Sequence, residues 1–475
     1  MTTFVESRVV GGPRESGWAV GRLAGFHCVA LLVSVWAAVQ AEWSIAALAV
    51  TAAAAVALAA RSPEALLGVW IAASPWLSFV LRYPDLKSVV TFDRIVIPAI
   101  VLGLLARAVR RDGRLPAIHV GELAAMAFGV VALASVAAVS VEKGYALRTA
   151  VDAFLLPAML LYAVRGGFDV EGGRVAVVTG AIVLGLTLPL PGAFEFLTGS
   201  DLFVYSGASI FRTGIVRPNG PFITDNSYAM VGAMLAIFLV WSARALSVRI
   251  RGVAQTVWVL AVAGAFLTAA LPLFRTVLAT LVVALAMPML VALRVRALAR
   301  TALVGVVLVI AALPAILAVS GTAVFRDRIL DPSSGFSRAA TYLAGADIVS
   351  DHPILGVGLT NYHDYFLEKF GEAWYVEVET VGDEGAESYP HNNVLSVWAE
   401  LGLLGLVPFA VAGITLAGQA WRDRDVESLG LMLAFALPGL TLVTCYSADL
   451  NLIAAAMVGV MMARHRIGSA SLPMA

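Results

Sequence analysis

Apolar runs of about twenty residues recur along most of this chain, and that repetition limits its fold more than any single motif does. A helix rises about 1.5 Å per residue, so twenty apolar residues match the roughly 30 Å hydrocarbon core of a bilayer. Inside that core only helices and closed barrels satisfy their own backbone polar groups. Windows of this length place spans near residues 21–39, 43–60, 64–80, 95–108, 123–139, 146–164, 175–197, 228–243, 254–271, 276–293, 302–319, 394–420, 430–446 and 450–463. The run at 95–108 is short, and an interfacial segment is the alternative there. The expectation is an all-α integral membrane protein of about twelve to fourteen transmembrane helices, with one large extracytoplasmic loop containing short helices.

Composition agrees, with 60% hydrophobic residues, 13% charged residues and a mean hydropathy of +0.88. A formal net charge of zero gives no reason to expect a nucleic-acid partner. Cys28 and Cys445 lie far apart in apolar segments, which provides neither a disulfide framework nor metal-ligand spacing. The first 20 residues are polar, carry Arg8 and Arg14, and read as a tail, not as a cleavable signal.

Orientation follows from the arginines in short loops. Arg107, Arg110, Arg111 and Arg114 form one group, Arg244, Arg249 and Arg251 another, and Arg294, Arg296 and Arg300 a third. If the spans alternate, these share a side with Arg422, Arg424, Arg464 and Arg466, and that side is cytoplasmic. The chain then divides into a cytoplasmic tail at 1–20, transmembrane helices at 21–200, and helices with outward Arg-bearing segments at 201–320. An extracytoplasmic loop at 321–391, transmembrane helices at 392–464 and a cytoplasmic tail at 465–475 follow. Long polar connections between compact elements are usually functional. Within this loop, 337–350 reads as an amphipathic helix with Ala339, Tyr342, Leu343, Ala346 and Val349 on one face. Asn361 is placed to cap a second helix ending at Phe370, and 371–388 reads as an exposed acidic connection.

Pro390-His391-Asn392-Asn393 precedes an apolar helix, so Asn392 or Asn393 is the expected N-cap and His391 sits at the outer surface. A histidine there suits proton abstraction from a hydroxyl, although an ordinary helix-start histidine facing water fits equally well. His352 and His363 are near in sequence, yet no pair of histidines has the i, i+4 spacing of a zinc motif, and no metal is expected. Arg217, Arg275 and Arg338 reach the same side from separate parts of the chain. Guanidinium groups there suit the phosphate oxygens of a lipid diphosphate; snorkelling to lipid head groups is the plainer alternative. Arg148 and Asp152, one turn apart, are expected to neutralise each other, and Glu400 to face the bundle interior. Asp93, Arg94, Glu195 and Asp449 sit near outward ends of spans.

Together these residues carry a resemblance. Arg217-Pro-Asn-Gly-Pro-Phe with Asp225-Asn226, an arginine heading a later span, Arg338 with Asp351-His-Pro-Ile-Leu-Gly-Val-Gly358, and His391-Asn392 with Glu400-Leu-Gly-Leu-Leu-Gly405 form the pattern. It is similar to the bacterial O-antigen ligase and O-antigen polymerase family, over roughly residues 211–408. The resemblance implies a multi-pass enzyme of the bacterial cytoplasmic (inner) membrane with its active site facing outward. It implies an undecaprenyl diphosphate-linked glycan donor and a glycan, lipid or protein acceptor, with membrane lipids as surroundings and no cofactor. In ligases of that family two arginines hold the diphosphate and the loop histidine activates the acceptor. Arg217 and Arg275 match the former, with Arg338 as a further ligand, and His391 matches the latter. Asn392, Glu400 and Asp225 are candidate supporting residues. The family commonly has a small polar residue before the second arginine, where this chain has Phe274. A single inverting, metal-independent displacement is the expected chemistry. The alternatives are a surface polysaccharide polymerase of the same family or, in another class, a polysaccharide or lipid transporter.

Overall fold

The computed structural model describes residues 44–82, 91–200, 202–203, 211–212, 215–246, 248, 252–291, 333–370 and 390–464. The apolar runs expected at 21–39 and 302–319 and the acidic connection at 371–388 lie outside the described residues. What is described is an all-α membrane protein. Apart from an antiparallel pair of two-residue strands, β1 (Phe211–Arg212) and β2 (Ile215–Val216), the regular elements are helices. Five of them are long and apolar enough to cross a membrane: Val120–Ala138, Lys143–Gly167, Val170–Thr198, Val253–Ala270 and Asn393–Arg422.

Helices α1 (Ser44–Arg61), α2 (Pro63–Arg82) and α3 (Phe92–Asp112) open the bundle. The run at 95–108 thus belongs to a full 21-residue helix, started by the Thr91 side chain accepting from the Arg94 amide and stopped by left-handed Gly113. Helix α4 (Val120–Ala138) is followed by α5 (Lys143–Thr149), a π turn (Ala150–Leu155) and α6 (Leu156–Gly167), where a single uninterrupted span was expected. The π turn frees the Ala153 carbonyl, which accepts from Asn451 Nδ2 at 2.7 Å. Asp152 is ion-paired instead with Arg94 of α3, at 2.6 and 2.8 Å, while Arg148 Nε donates to the Gly144 carbonyl.

Helices α7 (Val170–Thr187) and α8 (Pro189–Thr198) continue the chain. Helix α7 packs on α2 so closely that a side chain on Gly180 would run into the Gly68 carbonyl. Next come α9 (Asp225–Ala245), α10 (Val253–Ala270) and α11 (Arg275–Val291), then the loop helices α12 (Ser333–Asp351) and α13 (Tyr362–Phe370). Helix α14 (Asn393–Arg422), α15 (Val426–Ala436), a 3-10 turn (Pro438–Leu440) and α16 (Ala448–Ala463) complete the bundle. Every residue of α16 from Leu450 to Ala463 is buried, as expected of a helix that is apolar all round. At the arginine-rich end, Arg107 pairs with Glu64, Arg165 with Glu122, and Arg464 with Asp425 at 2.7 Å, tying helix ends to one another.

The loop is bolted to α14. That helix breaks at Gly402, whose φ of 61° and ψ of −163° belong to a region essentially restricted to glycine. Backbone groups freed at the break pair with the strip Pro353–Gly358. Val357 and Gly358 amides donate to the Ala399 and Glu400 carbonyls at 2.9 Å each, and Leu403 and Leu404 amides donate to the Pro353 and Ile354 carbonyls at 2.9 and 3.2 Å. Two of the motifs singled out in the sequence are therefore the two halves of one clamp. The stretch from Leu403 to Arg422 is 20 residues, about 30 Å of helix, and matches the hydrocarbon core by itself.

A second anchor joins the loop to the turn after α4. Asn361 precedes α13 as expected, but its side chain is turned to other partners: Oδ1 accepts from the Val141 amide at 2.9 Å, and Nδ2 donates to the Val139 and Val357 carbonyls. The buried stripe of α12 runs through Thr341, Ala344 and Ile348, and Leu343 is exposed, so the helix is rotated from the face expected. Small Gly345 meets Leu395 of α14 directly, which sets that rotation.

Candidate functional site

Arg217 is held by a buried carboxylate. Glu195, near the end of α8, is fully buried, and its Oε2 accepts from the Asn219 and Gly220 amides at 3.1 and 2.9 Å while Oε1 accepts from the Leu202 amide at 3.3 Å. Charge-assisted bonds to backbone amides fix the Pro218–Gly220 turn and hence the Arg217 backbone. Replacing Glu195 with alanine leaves those amides without their acceptor. The expected outcome is a loss of about 2–3 kcal/mol on thermal unfolding in detergent, with glutamine costing less because it keeps one acceptor oxygen.

The Arg217 guanidinium carbon lies 4.9 Å from the centroid of the Phe274 ring. Its Nη1 is 3.4 Å from Asp225 Oδ2, and its buried Nε has no hydrogen-bond partner among the described residues. Asp225 opens α9 and accepts from the Asn226 amide at 2.8 Å. Arg275 opens α11 and is exposed; it follows Phe274 directly in the chain. Arg338 lies in the first part of α12.

His391 is half-buried immediately before α14. Asn392 is the N-cap, its Oδ1 accepting from the Val394 and Leu395 amides at 2.9 and 3.1 Å. The His391 carbonyl accepts from the Tyr342 hydroxyl at 2.8 Å, and Asn392 Nδ2 donates to the Leu440 carbonyl at 3.3 Å. Asn393 faces inward, accepting from the Thr444 and Cys445 amides. The 3-10 turn at Pro438–Leu440 also packs on α11, and Ser227 Oγ of α9 bonds Ser447 Oγ at 2.8 Å. Residues 438–447 are thus the hub around which α11 and the first turns of α9 and α14 gather. Arg217 with Asp225, the start of Arg275's helix, and His391 share that end of the bundle. Three helix N-termini pointing one way add partial positive charge to that of the arginines.

Glu400 lies on the inner side of this gathering, against Tyr446 of the hub. It is buried beneath the loop, with Oε1 accepting from the Tyr362 amide at 3.4 Å, and so serves the seat of α13. His352 packs edge-on against Tyr365, with ring centroids 5.8 Å apart. Among the described residues no group of three or more His, Cys, Asp or Glu side chains is gathered as for a metal. Reasoning from the sequence missed three members of the site. Tyr342 was read only as part of an apolar face; Phe274 only as a departure from a pattern; and Glu195 only as one of several charges near span ends. A carboxylate inside an apolar run shortly before an Asn-Gly turn was the available signal for Glu195.

The chain is therefore a polytopic membrane protein with a cationic site at one end of the bundle, beside a loop clamped to a broken helix. Residues 260–410 match the family model described as O-Antigen ligase, and the match supports the O-antigen ligase and polymerase family for this chain. The matched stretch includes Arg275, Arg338, His391 and Glu400, whereas Arg217 and Asp225 precede it. No curated protein matches the chain. The match supports an activity of the O-antigen ligase or polymerase type, and that family implies a lipid-linked glycan as donor and a glycan acceptor.

Proposed function

We propose that this protein is a glycosyltransferase of the bacterial inner membrane that moves a glycan from an undecaprenyl diphosphate carrier to an acceptor hydroxyl at the outer face. The observation that carries the proposal is the state of Arg217. A half-buried guanidinium rests on an aromatic ring, makes one long contact to a carboxylate and has a desolvated Nε with no partner among the described residues. Such a group is prepared for an anion, and Arg275 follows the ring on which it rests. On this reading Arg217 and Arg275, with Arg338, bind the diphosphate. His391 takes the proton of the acceptor hydroxyl, whose oxygen attacks the anomeric carbon. The bond from that carbon to the diphosphate oxygen breaks, and the carrier leaves as its diphosphate with charge neutralised by the arginines. One displacement inverts the anomeric centre and needs no divalent cation.

The test uses purified protein and a lipid-diphosphate glycan with EDTA present. Transfer is expected to continue undiminished and to give the inverted linkage; an absolute requirement for added divalent metal, or retention of configuration, would refute the mechanism. A deletion strain separates the two acceptor types. Loss of long chains with single units still attached identifies a polymerase, and loss of all attachment identifies a ligase.

A further inference from the structure

We infer that Phe274 is a positioning residue that presents Arg217 to the diphosphate and sets its spacing from Arg275. The inference rests on the proposal that these arginines bind the donor diphosphate. Phe274 is 8% exposed, and the guanidinium lies over its ring, so the ring supplies both an apolar floor and the negative face of its quadrupole. A carboxylate in that place would neutralise the arginine, and an incoming phosphate would have to displace it. A ring orients the same cation and leaves its hydrogen-bond donors unspent. Arginine has five such donors, and the nearest carboxylate oxygen here is at 3.4 Å from one nitrogen. Asp225 thus limits the swing of the side chain without neutralising it tightly.

The backbone around the ring is equally specific. Leu273 adopts a φ of 60°, a left-handed conformation that non-glycine residues rarely take, in the turn immediately before Phe274. That turn is closed by the Leu273 amide donating to the Ala270 carbonyl at 3.0 Å. One residue further on, Arg275 begins α11. Two cations from distant parts of the chain are therefore spaced by a single side chain: one lies on the ring, and the other is the next residue along the backbone.

Farnesyl diphosphate serves as a probe of the lipid diphosphate, with inorganic diphosphate as a second arm that isolates the head group. Binding to full-length protein in detergent is measured for Phe274→Leu, Phe274→Tyr and Phe274→Trp, and for phenylalanine at 274 carrying one, two or three ring fluorines. The fluorinated rings keep the shape and weaken the quadrupole, so they report even if the leucine variant does not fold. Expected are a Kd raised about three- to tenfold in Phe274→Leu, near-wild-type binding with tyrosine or tryptophan, and a stepwise loss along the fluorine series in both arms. In an Arg217→Ala background, where binding is already weaker by tenfold or more, Phe274→Leu should add nothing. A flat fluorine series, or equal losses with leucine, tyrosine and tryptophan, overturns the positioning role while leaving the diphosphate reading intact. Undiminished binding in Arg217→Ala overturns both.

Discussion

Replacing His391 with alanine is expected to lower transfer by about a hundred- to ten-thousand-fold, the range general-base catalysis commonly contributes. The loss should fall on kcat, because the groups proposed to hold the donor are Arg217 before α9, Arg275 on α11 and Arg338 on α12, and the imidazole is not among them. Nor should the substitution disturb the fold. Its backbone is anchored by the Tyr342 hydroxyl on its carbonyl and by the Asn392 cap beside it, and both remain in the alanine variant. Farnesyl diphosphate should bind the variant as it binds wild type, and glutamine should not restore activity. Turnover that survives in His391→Ala would remove the histidine from the role of base.

The second large effect is structural. Gly402→Ala puts a Cβ where the Ile354 carbonyl lies and forces a side chain into a backbone region it does not tolerate. The break in α14 can then persist only under strain, and the four backbone bonds to Pro353–Gly358 are put at risk. The expected outcome is a loss of about 3 kcal/mol or more on unfolding, rapid proteolysis within 333–370, and at least a tenfold loss of transfer. Gly413→Ala, on the same helix with open space around the added atom, should behave as wild type and serves as the control. A Gly402→Ala protein whose loop resists protease as wild type does would contradict the clamp.

Much of this was legible in the sequence because membrane helices announce themselves by length and apolarity. The two loop helices and the Asn392 cap were also readable, from helical periodicity and from a polar residue standing just before an apolar run. What escaped was whatever depends on backbone groups that periodicity does not register. The π turn at 150–155 is an apolar stretch interrupted by Asp152, and the cross-helix partners Arg94 and Asn451 are what mark it. The same holds for Gly402, which sits in a Gly-Leu-Leu-Gly run that looks like lipid-facing helix until the strip that pairs with it is in place. Glu400 was read as interior and paired with an arginine or backbone, and it is the backbone, at the Tyr362 amide, that it meets; periodicity does not say which amide. For the site, the residue types were visible while their arrangement was not. Most of the hub at 438–447 lies in what was read as an uninterrupted span at 430–446, and it is this turn that connects His391 with α9 and α11.

The clamp also imposes an order in time. Residues 353–358 are synthesised before α14, so the strip leaves the ribosome first, yet its hydrogen-bond partners exist only once α14 has entered the bilayer. Until the two meet, nothing pairs the backbone groups at 399–404 except a straight helix. A straight α14 with the loop unattached is therefore the form expected before docking, and the conformation of Gly402 is one that only the docked strip stabilises.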